Sequence, residues 1–130
     1  MIKFIPVEEL TISHLTLLKS KDEDMSIPLL SRPIYECWGK DCYGLLGMYS
    51  TSLLSHYGVL WFVPSYEFVP TREEIRFAKT HVRLSELFNF GKTLYADVPV
   101  GDHVGQHFAR FFGMEFYKTS QGYHIYKGVA

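Results

Sequence analysis

One unbroken apolar run, Val59-Leu-Trp-Phe-Val63, interrupts a chain of otherwise mixed polarity. Its length and its branched and aromatic residues predict a strand covered on both faces. Pro64 cannot donate to a ladder and is expected to end that strand. Thr71-Arg-Glu-Glu74 then gives a capping-box pattern, which predicts an amphipathic helix running to Ser85. Asn89-Phe-Gly91 reads as the stop. A strand that runs into a helix start makes a place where free amides face an anion.

The flanking pattern supplies the remaining elements. Ile2–Ile5 alternates as a short strand stopped by Pro6. Glu8–Lys19 places Leu10, His14, Leu15, Leu17 and Leu18 on a helical face, with acids at its start. Lys21–Asp24 is a charged loop, and Met25–Ser31 is an apolar stretch broken by Pro28, a candidate flap. Pro33–Trp38 and Cys42–Tyr49 read as a hairpin around Gly39–Asp41. Thr93–Asp97 is a further strand, expected parallel to Val59–Val63 because the intervening helix supplies a crossover. Asp102 is a good N-cap for a helix to Phe112, with Gly113 as its stop. Met114–Lys118 and Tyr123–Lys127 close the chain as a hairpin around Thr119–Gly122. This order predicts an α/β fold, a mixed sheet of six to seven strands flanked by three to four helices, in one domain over residues 1–130. Trp61 and either Phe108 or Phe112 are expected in its core.

Composition narrows the partners. Net charge is -1 over 130 residues, so bulk electrostatics recruits neither nucleic acid nor an anionic membrane. No run of membrane-spanning length and no signal-peptide pattern is present, which gives a cytoplasmic expectation. Aromatic residues reach 16%, enough to fill a bulky core or line a cleft. Cys37 and Cys42 make no disulfide framework and read as packing residues. His103 and His107 are four apart, but no third ligand stands at a telling spacing, so no metal is expected. Arg72, Arg76, Lys79 and Arg83 form one helical stripe. A solvated face paired with Glu73 and Glu86 explains it more simply than a basic ridge. Arg72 is the exception, since it lies in the first turn.

The segment Asp102-His-Val-Gly-Gln-His-Phe-Ala-Arg-Phe-Phe-Gly-Met-Glu-Phe116 carries a resemblance. With the strand Leu60–Val63 and the capped helix after it, it resembles the GNAT superfamily of acetyl-CoA-dependent N-acetyltransferases over nearly the whole chain. More narrowly, it is similar to small GNAT-like proteins of tailed phages, some of which are virion-assembly or internal virion proteins. The resemblance implies a GNAT-like fold, acetyl-CoA as cofactor and a small-molecule or protein amine as acceptor. It also implies phage structural proteins as partners, in host cytoplasm or virion. Phe62 and Val63 would offer backbone bonds to pantetheine. Thr71 and Arg72 would meet the pyrophosphate, with Asp102 and Phe108 beside the cofactor. An amine acceptor must lose a proton before attack, which makes Glu36 and Asp97 candidate bases. Glu36 is favoured because its hairpin faces the acceptor side in the family. Tyr117 and Tyr66 are candidate acids.

The departures from the family pattern point the other way. Ser65–Arg72 occupies the place of a glycine-rich phosphate loop and has no glycine, and Pro70 removes an amide. Ala109 stands where many members carry a tyrosine that protonates the leaving thiolate. Asp102 replaces a usual asparagine. Acetyl-CoA binding is therefore expected to be weak or lost. Two functions follow: acetyl transfer to an amine, or an interaction or virion-assembly module built on the same fold.

Overall fold

In the computed structural model the described residues are 2–16, 30–40, 43–50, 57–64, 70–88 and 93–129. Seven strands form one mixed sheet: β1 Lys3–Val7, β2 Ile34–Trp38, β3 Tyr43–Tyr49, β4 Tyr57–Pro64, β5 Thr93–Pro99, β6 Glu115–Ser120 and β7 Tyr123–Val129. Four helices are described: α1 Ile12–Thr16, α2 Arg72–His81, α3 Leu84–Leu87 and α4 His103–Phe111. The strand order is β1-β2-β3-β4-β5-β7-β6. Only β4 and β5 pair in parallel; the other neighbours are antiparallel. The α/β class, the strand count and the parallel pair follow the expectation from sequence.

The two faces of the sheet carry separate cores. Leu46 of β3 sits opposite Phe62 of β4, and that face packs against Ala78, Phe88, Phe111 and Phe112 from the helical side. The opposite face holds a smaller cluster of Val7, Ile34, Tyr43, Leu45 and Val63. Phe112 is buried, as expected for the last helix. Trp61 is only half-buried, against the expectation of a core position. It packs against the smaller cluster from outside, and its Nε1–H donates to Ser31 Oγ at 2.8 Å. The ring also lies over Gly47, where a Cβ would come within 2.2 Å of Cζ2. A bulky residue on β4 is thus accommodated by a glycine on β3.

Helix ends account for most boundaries. Gly113 has φ +79°, its N–H donates to Arg110 O, and Met114 N–H donates to Ala109 O. This is the left-handed double-bonded stop anticipated for α4. The β6–β7 turn uses two left-handed residues, Gln121 (φ 50°) and Gly122 (φ 83°), as a tight hairpin demands. That is why β6 continues to Ser120 rather than stopping at Lys118.

Three expectations are corrected. β1 runs through Pro6 to Val7. It is an edge strand, where a missing N–H costs no ladder bond. The first helix begins at Ile12, not Glu8. Thr11 starts it, because His14 Nδ1 accepts the Thr11 N–H at 3.0 Å in the manner of a capping box. The long central helix breaks after His81, with Val82 and Arg83 extended before α3. Thr80, His81 and Val82 are weak helix formers, and the break lets Leu84 and Phe88 turn into the core. Arg83 therefore leaves the basic stripe. Lys21–Asp24, the stretch from Met25 to Leu29, Asp41, Cys42, Tyr66 and the stop at Asn89–Gly91 lie outside the described residues.

The break makes a prediction. Phe88 is fully buried, with its ring edge-on to Tyr35 at 5.6 Å. Phe88→Ala is expected to cost about 3–5 kcal/mol in urea unfolding. Arg83→Ala, on the exposed linker, is expected to stay within about 0.5 kcal/mol. Equal effects would contradict the break.

Candidate functional site

The parallel pairing of β4 and β5 lasts for three residues, Tyr57–Val59 against Thr93–Tyr95. β4 continues to Pro64 on its β3 side, and β5 continues to Pro99 on its β7 side. Beyond Val59 and Tyr95 the two strands share no ladder, and a cleft of about 430 Å³ opens between them. Phe108 and Phe112 of α4 contact the Phe62 ring edge-on, at 5.4 and 4.9 Å, and all three line the cleft. Asp97, Asp102, Gly105 and Tyr123 complete the part of the lining that carries chemistry or shape.

Asp102 is the N-cap of α4, its Oδ1 accepting the Gly105 N–H at 2.9 Å. A Cβ on Gly105 would lie 2.5 Å from Asp102 Oδ2 and 2.9 Å from Val98 Cγ1. Glycine is therefore required for α4 to start this close to β5. The cap leaves a carboxylate at the cleft, and Asp97 adds a second, exposed one.

The start of α2 is the second feature. Thr71 Oγ1 accepts the Glu74 N–H at 3.1 Å, and Glu74 Oε1 accepts the Thr71 N–H at 2.9 Å. The capping box read from sequence is thus complete. Glu74 Oε2 also accepts the Lys40 N–H at 2.9 Å, tying the β2–β3 connection to the helix. The Glu74 side chain is buried, with 5% of the residue exposed. Burial pushes its carboxyl up, but the backbone N–H groups of Thr71 and Lys40 outweigh that and hold it below the ordinary 4.5. A charged carboxylate therefore sits inside the helix start where a phosphate would otherwise be drawn. Two amides of the first turn, those of Arg72 and Glu73, are not used by the cap.

Glu36 lies in another cluster. Its Oε1 accepts the Tyr43 O–H at 3.0 Å and stands 3.6 Å from His14 Nε2. Because His14 Nδ1 accepts the Thr11 N–H, the ring proton of the neutral imidazole is on Nε2, facing Glu36. Burial, then the Glu36 hydrogen bond and charge, push the Tyr43 phenol well above its ordinary 10.0. The cluster ties α1 to β2 and β3.

The sequence-derived site residues therefore separate. Phe62, Asp97, Asp102 and Phe108 meet around the cleft. The Val63 side chain is buried in the smaller core, and Val63 is not part of the cleft lining. Thr71 and Arg72 stand at the α2 start, and Glu36 is in the His14–Tyr43 cluster. Tyr117 is at the irregularity of β6, half-exposed, with Lys118 and Lys127 over its ring. Among the described residues no three histidine, cysteine, aspartate or glutamate side chains gather as a metal site, and His103 and His107 are exposed. No described helix is long and apolar enough to cross a membrane. Sequence reasoning missed Tyr123, and the glycine at Gly105. It also missed the Glu74 bond to Lys40, which needs two segments far apart in the chain. No protein-family model, no curated protein and no solved structure matches the chain.

Glu74 yields a prediction with a definite sign. A carboxyl lowered in the folded state contributes stability above its unfolded value, lost as pH falls through the folded one. The parent should lose stability below about pH 4.5, the ordinary value of this group. In Glu74→Gln that part of the acid slope should disappear from urea midpoints measured between pH 3 and 6, values on the order of the carboxyl range. Thr71→Ala should cost about 1 kcal/mol at neutral pH. An unchanged acid slope in Glu74→Gln would contradict the buried-charge assignment.

Proposed function

We propose that this chain is a GNAT-like protein whose β4–β5 cleft binds a partner segment and in which acetyl transfer from acetyl-CoA is weak or lost. The observation that carries the reading is Glu74. Its carboxylate is buried at the α2 start, bonded to the amides of Thr71 and Lys40. A pyrophosphate brought to that helix end meets a negative charge, and the Thr71 and Glu74 N–H groups are already used by the cap. The cleft residues suit the amide-bearing arm of coenzyme A, but the helix start does not suit its diphosphate. The cofactor as a whole does not fit, and no catalytic step is assigned through it.

The chemistry around α4 supports the same reading. Ala109 is buried and offers no hydroxyl to a departing thiolate. Asp102, at the head of α4, places a second carboxylate along the cleft. An interaction or virion-assembly role agrees with this better than turnover does. One observation favours acetyl transfer as the second reading: the parallel pair opens into a cleft beside Asp97 and Tyr123, as the family resemblance implies. Asp97 would then take the amine proton.

Titration calorimetry with acetyl-CoA separates the two. Losing two charge-assisted phosphate contacts of about 1.5–3 kcal/mol each moves a micromolar site to roughly millimolar. The expected result is no saturable heat in the micromolar range and no rise in melting midpoint with acetyl-CoA. A saturable micromolar site, with acetyl transfer to a panel of amines, would restore the enzyme reading.

A further inference from the structure

A second cavity, of about 340 Å³, is lined by α2 and α4 together. Both helices bury an alanine in the main core, Ala78 and Ala109. Pro70 and Ile75 on the α2 side, and Phe108 and Phe111 on the α4 side, make the apolar walls of the cavity. On the α2 side the lining reaches from Pro70, ahead of the first turn, to Lys79 in the last. From Arg72 to Lys79 the helix rises about 10 Å, at 1.5 Å per residue. The volume is at the low end for small-molecule sites, about 300–1,000 Å³. Its length suits an extended alkyl chain better than a single ring.

The polar side chains at this cavity are of one kind. Lys79, His107 and Arg110 line it, all three exposed, and no described carboxylate does. Helical spacing gathers them with the walls: Lys79 follows Ile75 by four residues, and Arg110 follows His107 by three. Neither Lys79 nor Arg110 is paired with a described carboxylate. Lysine and arginine offer donors only, and a guanidinium matches a carboxylate with two parallel bonds. A solute with a carboxylate at one end and apolar carbon behind it satisfies the cations and the walls together. An organic cation meets like charge there, and a polyphosphate would lose hydration against the apolar walls.

We infer that the cavity between α2 and α4 binds a medium-chain alkyl carboxylate. The chain lies against Ile75, Phe108 and Phe111, and the carboxylate meets Lys79 and Arg110. This site does not depend on what the β4–β5 cleft binds. Phe108 lines both cavities, so its own amide does not serve as a reporter.

The test uses the full chain, labelled with nitrogen-15 and titrated with decanoate below the concentration at which it forms micelles. The expected result is saturable shifts at the amides of Ile75, Lys79, Arg110 and Phe111. Decan-1-ol keeps the chain without the charge and should bind about tenfold more weakly, one step of the affinity scale. Acetate keeps the charge without the chain and should give no saturable shifts at the same concentrations. The Lys79→Gln and Arg110→Gln double variant should lose about tenfold for decanoate and nothing for decan-1-ol. Both positions are exposed, and the variant's own amide spectrum checks its fold. No saturable shifts with decanoate, shifts confined to Asp97 and Val98 in the β4–β5 cleft, binding of decan-1-ol or acetate as tight as that of decanoate, or unchanged decanoate affinity in the double variant would each overturn the inference.

Discussion

The structure depends on a parallel ladder that stops after three residue pairs. β4 is committed to β3 along one edge and β5 to β7 along the other, so both strands extend beyond their shared ladder. The gap between them is stabilised from the helical side. Phe108 and Phe112 pack their rings against Phe62, and Gly105 lets α4 begin close to Val98. Edge-to-face aromatic pairs of this kind contribute about 0.5–1.5 kcal/mol beyond their buried area. The same contacts that complete the core therefore hold a cleft open, and fold and site are not separable parts of the molecule.

The start of α2 shows how a structural need shapes function. A helix N-terminus draws negative charge. Glu74 supplies it internally, and its second oxygen secures the Lys40 amide from the far hairpin connection. The fold gains a buried tie between distant segments, and the helix end loses most of its attraction for a bound anion. Asp102 does the corresponding work at α4, where its carboxylate also lines the cleft. Both of these helix starts are thus satisfied by carboxylates of the chain itself.

Local signals were legible in the sequence. The Val59–Val63 run, the Thr71–Glu74 box, the Asp102 cap and the Gly113 stop each act within a few residues, and each has its expected place. The residues of the cleft were partly legible, since Phe62, Asp97, Asp102 and Phe108 meet there. What escaped depends on distant partners. Pro6 is tolerated because β1 is an edge strand, which only the sheet order reveals. The break at Val82 is favoured by burying Phe88. Trp61 reads as core by composition, yet it lies half-exposed across Gly47 and bonded to Ser31. Glu36 was read as a base, and its acceptor capacity is turned toward Tyr43 and His14.

Amide hydrogen exchange along β4 tests the central claim, that its ladder with β5 ends at Val59. Successive amides of a strand point to opposite neighbours. The account predicts alternation over Leu60–Val63, with the amides bonded to β3 protected and those aimed at the cleft exchanging much faster. Uniform protection from Tyr57 through Val63 would show that β4 and β5 stay paired, and would contradict the open cleft.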